Sequence, residues 1–289
     1  MRLMDIEKCR ALLCTLETGS LSAASEELGY TPSGISRMMA SLEEETGFEL
    51  LIRSRNGIKP TENCKKLLPI IREMVSLGDR YKQTADEIKG LVSGTVTVGN
   101  TYLSYYSWLA RLIADFGRNY PNITVRIIEG TSSELITAIE EQRADFCIIS
   151  HRPGDYDWIH LKNDEMVAWV PPNHKLAAGK TFPLKAVTKE PFIEIFPGQE
   201  TDNSLMFASN HIKPNTKYVS LDSAVAYSMV EAGLGISTAN AIVSDALNGD
   251  VNVLPLDPPQ IVDIGVAIPR EKNLSPAAKH FVDFAKKSI

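Results

Sequence analysis

Residues 19–42 read GSLSAASEELGYTPSGISRMMASL, and their spacing predicts two short helices joined by a tight turn. Leu21, Ala24 and Leu28 recur at i, i+3 and i+7, and Gly29 stands where a left-handed cap ends a helix. Thr31 can then cap a second helix, with Pro32 at its first position losing only an N–H that has no partner there anyway. On that second helix Ile35, Met38, Met39 and Leu42 share one side, and Ser33, Arg37, Ala40 and Glu44 share the other. The outward face is small near its start. Ser33, Gly34 and Ser36 let such a helix enter a DNA major groove about 12 Å wide, from where Arg37 reaches a guanine edge or a phosphate. Alone, the same pattern also fits an ordinary helical hairpin with a solvated polar face.

The flanking residues narrow the choice. Residues 42–61, LEEETGFELLIRSRNGIKPT, run through Gly47 into the apolar stretch Phe48, Leu50, Leu51 and Ile52, then into a loop carrying Arg53, Arg55 and Lys59 around Asn56-Gly57. Asn-Gly between two short strands is a strong hairpin signal, so a basic wing is expected beside the second helix. In this order of motifs the chain resembles the LysR-type transcriptional regulators: an apolar first helix, GSxxxAAxxL, a helix carrying Ser-Arg, LEExxG, LxRxxxG and Thr-Glu. The resemblance covers the whole chain. It departs at Ser25 for the second Ala, Pro32 for a frequent Gln, Gly34 for Ala, Leu51 for Phe and Cys64 for Gly. It implies an N-terminal winged helix-turn-helix over 1–60, a linker and dimerisation helix over 61–90, and an effector domain over 91–289. That last domain is expected as a two-lobed α/β fold of the periplasmic-binding-protein type 2. Its first lobe would take about 91–163 and 266–289, and its second about 164–265. DNA contacts are then expected from Thr31, Pro32, Ser33, Ser36, Arg37, Arg53 and Arg55.

Between Thr61 and Gly90 the pattern is one long helix, with Thr61 as cap. Leu67, Ile71, Met74, Gly78, Tyr81, Ala85 and Ile88 alternate spacings of four and three, the mark of a coiled-coil seam; a single amphipathic helix lying on its own domain is the alternative, and pairing of two chains is favoured. Pro69 lies inside its first turns. Beyond Gly90, TVTVG, a helix over 104–118, ITVRIIEG, a helix over 133–142 and ADFCIIS make a βαβαβ unit with a parallel sheet. A second such unit is expected through MVAWVPP, FIEIF, a helix over 221–232 and GLGIST. VDIGVAIP and a helix over 276–287 then cross back to the first lobe.

At parallel-strand C-termini, backbone N–H groups and helix dipoles favour an anion. Asn100-Thr101 and Thr131-Ser132 sit at two such turns, although helix capping is the commoner role of such residues. Ser150 at the next strand end, and Phe196-Pro197-Gly198 in the second lobe, match cleft edges of the family. The expected ligand is therefore a small anionic effector in the interlobe cleft.

Composition sets limits. The chain has 289 residues, 44% of them hydrophobic, enough for about two domains. No apolar run approaches the ~20 residues of a membrane helix, and Asp5, Glu7, Lys8 and Arg10 interrupt the start, so neither a membrane span nor a signal peptide is expected and the chain is placed in the cytoplasm. Net charge is −6, and residues 1–60 hold seven Lys and Arg against nine Asp and Glu. Bulk charge thus argues against nucleic acid. Four of those cations, however, lie in the second helix and wing, and phosphate contact depends on which groups face the duplex. Cys9, Cys14, Cys64 and Cys147 lack metal or disulfide spacing. The five histidines are scattered, and no nucleophile elbow, P-loop or dinucleotide signature occurs, so no catalytic residue, metal or cofactor is expected. The leading expectation is a homodimer or homotetramer that binds promoter or operator DNA under effector control. The alternative is a ligand-binding or transport-linked protein whose N-terminal helices make protein contacts; Arg37, Arg53 and Arg55 favour the former.

Overall fold

A computed structural model describes residues 5–55 and 57–288. The chain divides into two compact units, one ending at Ser93 and the other starting at Gly94. Among the described residues no helix is long and apolar enough to cross a membrane.

The first unit holds α1 (Ile6–Thr18), α2 (Leu21–Leu28), α3 (Pro32–Thr46), β1 (Leu51–Ser54), β2 (Gly57–Pro60) and α4 (Glu62–Ile88). Side-chain caps start every helix: Asp5, Ser20, Thr31 and Thr61 each accept a backbone N–H of the first turn. Gly29 and Gly47 end α2 and α3 at φ of +70° and +78°, a region that favours glycine. Ile35, Met39 and Leu42 of α3 are buried against Leu12, Leu50 and Cys64. Burial of each such side chain contributes about 1.5–3 kcal/mol. Ser25, at the family's second Ala, is 2% exposed and turns its hydroxyl to the Ser22 carbonyl at 2.7 Å. The β1–β2 ribbon is antiparallel, and Ile58 N–H bonds the Gly19 carbonyl, tying the wing to the start of α2. Asn56, expected in the wing turn, lies outside the described residues.

The expected seam of α4 divides between two faces. Ile71 is 2% exposed and belongs to the unit's own core with Cys64, Leu68 and Val75, and Gly78 packs on Ile6 of α1. The apolar face left open carries Ile70, Leu77, Tyr81 and Ile88, one residue earlier along the first half of the helix. A four-three spacing fits both neighbouring stripes, so spacing alone does not say which one a helix turns to its own domain.

The second unit opens with β3 (Gly94–Asn100), α5 (Tyr106–Asn119), β4 (Ile123–Glu129), α6 (Ser132–Glu140) and β5 (Phe146–Ser150). β3 lies between β4 and β5, parallel to both. The chain continues through β6 (Asp157–Val170), β7 (Phe182–Pro183), β8 (Phe192–Ile195), α7 (Asp202–Ser209), β9 (Thr216–Ser220), α8 (Ser223–Glu231), β10 (Ser237–Asn240), α9 (Ala241–Ser244), β11 (Asn252–Asp257), β12 (Ile261–Ile268) and α10 (Pro276–Ala285). β12 returns between β5 and β6, antiparallel to both, and Phe281 of α10 packs edge-on against Phe116 and Phe146 in the first lobe.

The second lobe differs from a repeat of the first. MVAWV is the far end of the 14-residue β6, flanked by β10 and β11, both antiparallel to it; β8 runs parallel to β9, a strand not expected from the sequence, and meets the GLGIST segment at a parallel bridge between Phe192 and Ile236. Met166–Val170 is buried throughout, and a fully buried strand reads as a continuous apolar run whatever the direction of its neighbours. The helix expected at residue 104 begins as a 3-10 turn over Leu103–Tyr105, with α-geometry from Tyr106. α7, short and weakly amphipathic, carries no clear periodic signal.

Candidate nucleic-acid face and ligand cleft

In the first unit, Thr31, Pro32, Ser33 and Arg37 lie exposed at the start of α3, and Ser36 is half-buried beside them. The Thr31 hydroxyl accepts the Gly34 N–H at 3.1 Å, and Arg37 Nε donates to the Ser33 carbonyl at 3.3 Å, laying the guanidinium back along the helix start. Arg53 and Arg55 are exposed on the wing, with no ion pair among the described residues. The neighbouring acidic run is partly consumed internally. Glu43 accepts the Leu50 and Leu51 N–H groups at 2.8 and 3.2 Å, and Glu45 pairs with Lys8 at 2.5 Å. Carboxylates committed in this way oppose a polyanion less than the bulk count implies.

In the second unit, the ends of β3, β4, β5 and β8 and the starts of α6, α7 and α8 surround a cavity of about 460 Å³, within the usual range for small-molecule sites. Asn100, Thr101, Thr131, Ser132 and Phe196 line it. Their polar groups are largely spent on the fold. Asn100 bonds both backbone groups of Tyr102, at 2.8 and 3.2 Å. Thr131 is one half of a capping box with Glu134. Thr101 precedes the 3-10 turn and is not a helix cap; its hydroxyl lies 3.5 Å from that of Ser132. Ser150 stands behind the lining, its hydroxyl 2.9 Å from Ser132 Oγ.

Two more expected residues are absent from the wall. Phe196, at φ +54°, turns into the cavity while Pro197 and Gly198 turn away, Gly198 being at φ +77°. The chain returns to the wall at Gln199, Thr201, Asp202 and Asn203.

Asp202, at the first position of α7, is the residue that sequence spacing did not single out. Its carboxylate accepts from Ser150 Oγ at 2.5 Å, Arg152 Nη2 at 2.7 Å and Tyr102 Oη at 3.0 Å. The donors in the place expected for an effector's anionic group thus hold a carboxylate of the chain itself, and in doing so join the lobes. The neighbouring Ser133–Glu200 bond, at 2.7 Å, does the same. Burial, with Asp202 adjacent, pushes the Tyr102 phenol well above its usual range, keeping it a donor. Cys147, behind Gly99, is pushed up to about 12 by burial and is inert as a thiolate source.

Comparison with known proteins covers both units. The family model described as "Bacterial regulatory helix-turn-helix protein, lysR family" matches residues 6–65, and that described as "LysR substrate binding domain" matches residues 89–289. The HTH-type transcriptional regulator YvbU of Bacillus subtilis (strain 168), itself uncharacterized, is 28% identical over 286 residues, 98% of each chain. Among solved structures, a full-length OxyR variant from Pseudomonas aeruginosa is similar in fold, with a TM-score of 0.72 at 18% identity, covering 100% of this chain and 95% of that one. Full-length CbnR in complex with its target DNA has a TM-score of 0.60 at 20% identity, covering 99% and 100%.

Proposed function

Because the chain belongs to the LysR family of DNA-binding transcriptional regulators, we propose that it reads its operator through the start of α3 and the β1–β2 wing. In this reading it answers to a small molecule held between the lobes of its second unit. The observation that carries the reading is the exposure of Thr31, Pro32, Ser33 and Arg37 in one unit with the basic wing residues Arg53 and Arg55. Ser33, Ser36 and Arg37 face the base edges, Thr31 and Pro32 set the helix start against the backbone, and the wing arginines neutralise phosphates. The second unit binds reversibly and without turnover, through Thr101, Thr131, Ser132 and Phe196 on the wall, with Ser150 supporting them. The protein works in the cytoplasm, where its DNA is. Two chains pair through the open apolar face of α4, in a homodimer or a tetramer of two such pairs. Paired readers place half-sites about one turn of B-DNA, or a multiple of it, apart.

Selection of the full chain on a random duplex library, followed by footprinting, tests this. The expected result is an enriched sequence with two protected half-sites at helical spacing. Enrichment of no sequence would remove the assignment of α3 as the reading helix, and an identical selection by Arg37→Ala would reduce that residue to a backbone contact.

A further inference from the structure

Resting on the reading of the cleft as an effector site, we infer that its ligand is a primary amine on an apolar body rather than a carboxylate or phosphate. The Arg152 and Asp202 side chains are each only 8% exposed, so their pairing is shielded from water and salt. A carboxylate tethered on α7 competes at an effective concentration of about millimolar or above, while a metabolite arrives from dilute solution. An incoming anion would also leave Asp202 buried without its partners, whereas a ligand that ignores this seat disturbs nothing.

The remaining charge has one sign. Arg152 is the only basic side chain among the described residues lining the cavity, and Asp202 neutralises it. Glu129, Glu134 and Asp222 also line the cavity and carry no ion pair among the described residues. Glu134 and Asp222 each accept one backbone N–H, and Glu129 lies near Tyr106, whose phenol is held above its usual range first by burial and then by that carboxylate. A carboxylate offers about four acceptor positions, so each retains capacity for an ammonium. Coulomb interaction in a partly enclosed site then repels a second anion and draws in a cation.

An independent observation points the same way to a ligand. Asn240 is 7% exposed on the cavity wall, and its side chain makes no hydrogen bond among the described residues; its amide nitrogen is closed off, so the carbonyl end is the one left open to a ligand. A buried polar side chain without a partner is uncommon, and a ligand donor would satisfy it. Ile195, Phe196, Val243 and Leu247 supply the apolar wall. The ligand so defined has an ammonium facing Glu129 and Asp222, an apolar body, and a donor toward Asn240.

The test is calorimetry on the full chain with primary amines bearing aryl or cyclohexyl bodies, each matched to a carboxylate of the same body. Wild type is expected to bind amines at least tenfold more tightly than their matched carboxylates. Glu129→Gln, at the exposed rim, should weaken amine binding about tenfold with the fold intact by circular dichroism. Asp202→Asn, which keeps volume and frees the Arg152 guanidinium, should gain carboxylate binding. Equal or tighter carboxylate binding by wild type overturns the inference, as does failure of every amine to bind. Footprints taken on the same samples separate the two readings. Carboxylate binding with a normal footprint removes only the amine assignment, and amine binding without any sequence-specific footprint removes only the regulatory one.

Discussion

At the scale of single residues, the reading face makes a graded expectation. In the proposed reading Arg37 reaches base edges, so Arg37→Ala should cost about 1–3 kcal/mol of discrimination between selected and scrambled duplexes. Arg53→Ala and Arg55→Ala should weaken both duplexes alike, each lowering the slope of log affinity against log salt by about 1. Salt-titrated fluorescence anisotropy measures both effects, and equal losses on both duplexes for Arg37→Ala would make it a backbone contact. A second expectation concerns Asp145, whose carboxylate accepts the Thr97 N–H at 2.8 Å and is pushed by burial from 3.8 up to about 6. The folded value lies above the unfolded one, so as pH rises the unfolded chain loses this proton first. Stability is therefore lost between about pH 4 and 6 and is level above that window. Asp145→Asn keeps an acceptor and cannot ionise, so its advantage over wild type should grow through the same window. It should level at about 1–2 kcal/mol, discounted because the residue's surface is partly open. Urea midpoints at pH 4 and pH 7.5 show it; an unchanged difference would mean the carboxylate is already solvated. Residues with local roles were legible in the sequence, as the caps Thr31 and Gly29 show. Asp202 was not, because its partners lie 50, 52 and 100 positions away and nothing local marks the pairing.

At the scale of elements, the proposed reading gives α4 two jobs on two faces. Ile71→Glu places a charge in the core formed with Cys64, Leu68 and Val75, and should unfold the first unit, at a cost of several kcal/mol. Leu77→Glu and Tyr81→Glu fall on the open face, at 59% and 78% exposed, and should leave the thermal melt of that unit nearly unchanged while halving the sedimenting mass. Native mass retained by both open-face variants would place the pairing surface elsewhere. The helix itself was legible from its cap and period, but the choice between adjoining stripes depends on where α1 lies, and Ile6 against Gly78 decides that. The same holds for β6. Its apolar end was legible as a buried strand, while its direction relative to β10 and β11 belongs to pairing partners roughly 70 to 90 residues later in the chain.

At the scale of the whole molecule, the two units differ in how their cores draw on the chain. Every core residue of the first lies between Ile6 and Val75, one uninterrupted stretch. The second is discontinuous: Phe116 and Phe146 of the first lobe are covered by Phe281, so that lobe is assembled around the intervening second one. That pattern was legible where VDIGVAIP and the last helix pointed back to the first lobe; the antiparallel seating of β12 between β5 and β6 was not. The discontinuity also sets an order in time. On a ribosome adding about 5–20 residues per second, the reading unit has all its core residues roughly ten to forty seconds before Phe281 is made. During that interval each nascent chain carries a finished DNA-reading unit, with its apolar helix face open, ahead of a ligand domain that cannot yet close its first lobe.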